Sequence, residues 1–135
     1  MHMIKILGNF SPPKYLVESV SNTPQDKIGD FVNLIEQPKR YIDLCRQSGY
    51  VTIPQENGKC LFLVDDQGVP MHTDEHYSVV WFVAVSGIVQ LVTENGFVDV
   101  HCGDAFWLDT TKPHGVIHSN GGRWACVSCY VDPIE

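Results

Sequence analysis

Three features of the sequence predict a mainly-β fold, a sandwich or barrel of antiparallel sheets with short helices packed on one face. From Tyr50 onward, apolar residues recur with a period of two in short runs separated by turn signals. Ahead of that point the apolar spacing is helical and is interrupted by Pro38. The chain of 135 residues is 44% apolar, with three Trp, five Tyr and six Phe. That is enough to build one core that buries roughly two-thirds of the unfolded surface. The expected organisation is a single domain over 1–135, with a strand and helices over about 1–49 and a barrel over 50–135.

Taken in order, Met3 to Leu7 reads as a short strand that Ser11-Pro12-Pro13 breaks. Met1-His2 carries no weight. Asp26 to Ser48 places Ile28, Phe31, Val32, Leu34, Ile35, Tyr41, Ile42, Leu44 and Cys45 at helical spacings. Pro38 divides them into two short helices, with Thr23 and Asp26 as caps and Gly49 as the stop. Tyr50–Ile53 and Cys60–Val64 read as strands around a Gln55-Glu-Asn57-Gly58 turn, and Asp65 to Gly68 is a second turn. Val79–Val85, Ile88–Thr93, Phe97–Cys102, Ala105–Leu108, Gly115–His118 and Trp124–Val131 follow as strands. Glu94-Asn95-Gly96 predicts a hairpin, because Asn-Gly supplies the positive φ angles of a type I′ turn.

The net charge of −7 leaves no basic footprint for nucleic acid or anionic lipid. The five cysteines (Cys45, Cys60, Cys102, Cys126 and Cys129) are odd in number and lack framework spacing. Cys126 and Cys129, three apart on a strand, point to opposite faces and read as buried free thiols of a reducing compartment. With no signal peptide and no apolar run near the ~20 residues that span a bilayer, the expected location is the cytoplasm.

The polar residues that carry chemistry lie between Met71 and Arg123. Two neutral imidazoles and one carboxylate hold a divalent iron on one face and leave positions open on the other. His72, Asp74 and His114 supply that set, with His76 as the alternative imidazole. Alternate residues share a strand face, so His72, Asp74 and His76 form one group, His114 and His118 a second, and Arg123, Ala125, Val127 and Cys129 a third. If the barrel turns these faces inward, its interior holds a polarity that costs several kcal/mol unless paired or bound to metal. His118 and Trp81 are then pocket-lining residues. The blander alternatives are polar rim positions for His76 and His118, core packing for Trp81, Phe106 and Trp107, solvent for His101 and a surface ion pair for Arg123.

The region from Gly68 to Tyr130 resembles the cupin superfamily, whose fold is the double-stranded β-helix or jelly roll. Val80-Trp-Phe-Val-Ala-Val-Ser-Gly87 is similar to the cupin strand that ends in glycine, and Gly103-Asp104 with His114 matches the second cupin motif in spacing. Asp109 and Thr111 stand where that motif has proline and glycine. The resemblance implies metal ligands at Asp74, His76 and His114, with Val80 in place of the usual glutamate.

Within the same fold the chain also resembles the iron(II)/2-oxoglutarate oxygenases. His72-Thr-Asp74, then His114 within Lys112-Pro-His-Gly-Val116, then Arg123 occupy the places of that family's ordered set. This resemblance implies Fe(II) on His72, Asp74 and His114, with 2-oxoglutarate as co-substrate. It further implies that Arg123 binds the far carboxylate, since a guanidinium does so in a two-point contact. Ala125 replaces the hydroxyl residue expected two positions later, so a helper such as Tyr130 or Ser128 has to come from a different face. The expected activity is hydroxylation of a small-molecule or peptide substrate. The alternatives are a cupin acting as a co-substrate-free dioxygenase or isomerase, and a non-enzymatic jelly roll that binds a small ligand. Pairing through sheet edges is the expected route to a homodimer.

Overall fold

The structure is a computed structural model that describes residues 3–135; His2 lies outside the described residues. Strand β1 (Ile4–Asn9) runs into Pro12-Pro13, and helix α1 (Lys14–Asn22) follows directly. The Pro13 carbonyl accepts the N–H groups of Leu16 and Val17, at 3.1 and 3.3 Å. Leu16 and Val20, one turn apart, are the buried stripe of this helix. Helix α2 (Lys39–Gln47) starts after Pro38, buries Tyr41, Leu44 and Cys45, and stops at Gly49, whose φ is +95°.

Of the two helices expected in Asp26–Ser48, only the second forms. Residues 28–33 are irregular, and Leu34–Glu36 is a strand, β2, paired to β4 (Lys59–Asp65). The helical spacing there misled because sheet pairing takes the backbone instead. Gly29 N–H donates to the Val64 carbonyl at 2.7 Å and Phe62 N–H to that of Asn33 at 2.9 Å. Phe31 and Val32 are exposed, so their spacing marks no core face.

The remaining strands are β3 (Tyr50–Ile53), β5 (Val69–His72), β6 (Ser78–Ala84), β7 (Ile88–Thr93), β8 (Gly96–Val100), β9 (Asp104–Leu108), β10 (His114–Ser119) and β11 (Trp124–Pro133). A seven-stranded sheet has the order β1-β9-β6-β11-β4-β2, with β3 pairing the far end of β11. A four-stranded sheet has the order β5-β10-β7-β8, and every pairing in both sheets is antiparallel. This is the mainly-β double-stranded β-helix, with two short helices on one face. The β7–β8 hairpin forms where expected but with a different turn. Thr93 pairs with Gly96, so Glu94 and Asn95 are its tip, and neither has a positive φ.

Two cores follow from strand parity. Val79, Trp81 and Val83 of β6 and Ala125, Val127 and Cys129 of β11 pack with α1 and α2 residues such as Leu16, Tyr41 and Leu44 on the outer face of the large sheet. Phe82, Phe106, Leu108, Trp124 and Cys126 meet Val69, Val89 and Leu91 of the small sheet inside the barrel. Tyr41 ties the layers together, donating to the Val79 carbonyl at 2.7 Å and accepting from Cys129 N–H at 2.8 Å. All five cysteines are free, with four buried and Cys102 exposed. No helix among the described residues is long and apolar enough to cross a membrane.

Candidate metal centre

Strand β5 ends at His72 and β10 begins at His114, and the two are direct cross-strand partners. Their rings lie 4.3 Å apart, centroid to centroid. Gly115 makes this approach possible: a Cβ there would stand 2.6 Å from the Val69 carbonyl oxygen. Asp74 lies beyond the end of β5, in the connection to β6, where its N–H donates to the Thr110 carbonyl at 2.7 Å. The turn leading into β10 is held by Asp109, whose carboxylate accepts from Thr111 N–H and the Thr111 hydroxyl. Side-chain hydrogen bonds thus shape the turn at the positions where the cupin motif carries proline and glycine.

Each imidazole is oriented through Nδ1. That of His72 lies 2.9 Å from the Pro70 carbonyl oxygen and that of His114 lies 3.0 Å from the Lys112 carbonyl oxygen. A carbonyl only accepts, so Nδ1 carries a proton, and in the neutral ring Nε2 is left with its lone pair. Both Nε2 atoms face Asp74 Oδ2, at 3.7 Å for His72 and 3.3 Å for His114. Three acceptor atoms therefore converge, all within 4.8 Å of one another, with no proton to share in the neutral tautomers. Such a group is repulsive alone and is a donor set for a divalent cation. His114 is 7% exposed, while His72 and Asp74 are half-buried.

The centre opens on a cavity of about 270 Å³ between the two sheets. Leu61, Val80, Leu91, Leu108 and Trp124 are among its walls, and Phe31 and Gln55, both exposed, are also at its lining. Ser78, Thr110, Ser128 and Tyr130 bring hydroxyls to it. Ser78 Oγ lies 3.1 Å from Thr110 Oγ1, and the Tyr130 hydroxyl accepts from Glu75 N–H at 3.4 Å. No Lys or Arg is among the described residues that line it. The Cys126 thiol, also on the wall, is pushed up to about 12, chiefly by burial, and so stays neutral.

Four expected site residues are placed elsewhere. Arg123 precedes β11 with the parity of Ala125 and Val127, which face the helices, so its guanidinium lies outside the barrel. It donates to the carbonyls of Val20 at 2.9 Å and Thr23 at 2.6 Å, closing the C-terminal end of α1. The expectation that the odd-numbered face of β11 turns inward is thereby corrected, since Trp124, Cys126, Ser128 and Tyr130 line the cavity, with Cys129 the one odd-numbered β11 residue at its wall. Trp81 is corrected in the same way: it is fully buried against the helices and donates Nε1–H to the carbonyls of Phe10 and Gly103. His118 is not among the cavity residues; its ring nitrogens lie 3.1 and 2.8 Å from the carbonyl oxygens of Asp66 and Ser86. His76, the alternative ligand, turns to Asp132, with Nε2 2.7 Å from Oδ1.

The fold has solved counterparts. A prolyl-4-hydroxylase from Pseudomonas putida superposes with a TM-score of 0.59 at 11% identity, covering 100% of this chain and 95% of that one. A cupin-2 domain containing protein from Shewanella frigidimarina NCIMB 400 has a TM-score of 0.44 at 10% identity, covering 62% of this chain and 78% of that one. No protein-family model and no curated protein matches the sequence. The first likeness is one of fold, and the site rests on this chain's own residues.

Proposed function

We propose that the protein is a metal-dependent oxygenase that holds Fe(II) on His72, Asp74 and His114 and oxidises an organic molecule bound in the adjoining cavity. The observation that carries this reading is the convergence of His72 Nε2, His114 Nε2 and an Asp74 carboxylate oxygen beside a cavity whose walls are mainly apolar. Two imidazoles and one carboxylate suit ferrous iron and leave coordination positions for other ligands. Ferrous iron in such a set supplies the binding and reductive activation of O₂.

The chain's residues do the rest. The Pro70 and Lys112 carbonyls orient the imidazoles through Nδ1, and the Thr110 carbonyl anchors the loop that carries Asp74. The cupin register, with His76 as a ligand, has less support, because His76 is engaged with Asp132.

Titration with Fe(II) under anaerobic conditions, or with Mn(II) or Ni(II) as surrogates, is expected to give one metal per chain. His114→Ala is expected to weaken binding at least as much as the 10–100-fold loss that outer-shell damage causes. Stoichiometric metal in the folded Asp74→Ala/His114→Ala double variant would sink the assignment.

A further inference from the structure

We infer that the organic ligand of this centre is a small molecule with one metal-chelating end and an uncharged, apolar body, and that the site does not select 2-oxoglutarate. The inference rests on the metal assignment above and adds the ligand's charge to it. 2-Oxoglutarate has two ends: a keto-acid that chelates and a second carboxylate that needs a cation. Arg123, to which the oxygenase resemblance assigns that second carboxylate, is already committed to the carbonyls of Val20 and Thr23 on the far side of the large sheet.

No other cation replaces it among the described residues lining the cavity. The hydroxyls of Ser128 and Tyr130 can donate hydrogen bonds but bring no charge. Charge balance points the same way. A divalent ion with Asp74 leaves one positive charge, which the single carboxylate of a monocarboxylic keto-acid neutralises. A second carboxylate would leave a net negative charge among Leu61, Val80, Leu91 and Trp124, unpaired and poorly hydrated. The protein's net charge of −7 adds to the penalty. The size of the space, about 270 Å³, is at the small end of ligand cavities.

The test compares two keto-acids with the same chelating end. On Co(II)-loaded protein, the visible d–d absorption is followed during titration with 4-methyl-2-oxopentanoate, whose tail is a branched alkyl group, and with 2-oxoglutarate. Binding of the alkyl keto-acid at least tenfold tighter than 2-oxoglutarate is expected, with the same ranking in Arg123→Gln. Equal or tighter binding of 2-oxoglutarate would overturn the inference, as would a loaded centre that answers to neither compound. A ranking that favours 2-oxoglutarate in the parent and loses that preference in Arg123→Gln would also overturn it, by showing the arginine inside. Absence of any Co(II) spectrum is a different result, and it removes the metal assignment itself.

Discussion

At the scale of single residues, what distinguishes a candidate ligand histidine here is the partner of its other nitrogen. His72 and His114 each point Nδ1 at a backbone carbonyl two residues back, which frees Nε2 for the shared point near Asp74. His76 spends Nε2 on Asp132, and both nitrogens of His118 face carbonyls. His72→Ala is therefore expected to abolish stoichiometric metal binding, with His76→Ala leaving the metal affinity within about threefold of the parent. Paired metal titrations of the two variants decide this, and the opposite order would return the cupin register. Gly115 sets how closely β5 and β10 approach beside the candidate ligands. Gly115→Ala would drive its methyl into the Val69 carbonyl at 2.6 Å, so β5 and β10 must part. Its metal affinity is expected to fall along with its stability, by about 2 kcal/mol or more in chemical unfolding. The candidate group of His72, Asp74 and His114 was legible in the sequence because His-x-Asp is a local signal and His114 follows it on a later strand. The role of Gly115 was not, because it depends on which strand lies opposite.

The element that reassigned the site is β11. Period-two alternation shows that its residues fall into two sets, but alternation alone does not say which set faces the barrel when both faces are covered. Both sets are apolar enough to be buried: Trp124 and Cys126 inside, Ala125 and Val127 beneath the helices. The sequence pattern thus located the strand and left its sidedness to the packing of α1 and α2. The same double cover explains Trp81. The first expected helix failed for a related reason, since Leu34–Glu36 found an open edge on β4. Given its observed place, Arg123 is a C-terminal cap for α1, where a cation meets the carbonyls of the last turn and the negative end of the helix dipole. Arg123→Gln is expected to cost about 2 kcal/mol, with a lower Tm and unchanged metal affinity. Thermal unfolding with and without metal measures both, and a loss of metal affinity larger than the loss of stability would place the guanidinium back at the centre.

For the whole molecule, the two cores make a stability profile that depends on thiols as well as on packing. Cys45 and Cys126 are each pushed up to about 12 from an ordinary 9.0, in both cases chiefly by burial. Cys129 is raised further, first by its hydrogen bond with Cys60 and then by burial, and the Tyr41 phenol is raised by burial. These are acids that hold their protons more tightly folded than unfolded. Above pH 9 the unfolded chain releases thiol protons that the folded chain keeps, so the folded state binds more protons and stability must fall as pH rises. The contribution is complete below pH 9 and is lost through the window from about 9 to about 12. Each such thiol costs about 1.4 kcal/mol per pH unit there. Metal-free protein is therefore expected to hold a nearly level unfolding free energy from pH 7 to 8.5 and to lose about 2 kcal/mol between pH 9 and 10 from these two thiols together, the unfolded thiols being only half ionised at pH 9. Cys45→Ala/Cys126→Ala, although less stable at pH 7 for want of two buried sulfurs, is expected to lose markedly less over the same unit. Urea unfolding at stepped pH gives both slopes. Parallel slopes in parent and double variant would mean that the alkaline loss comes from elsewhere, and that these thiols are better solvated than their place in the two cores requires.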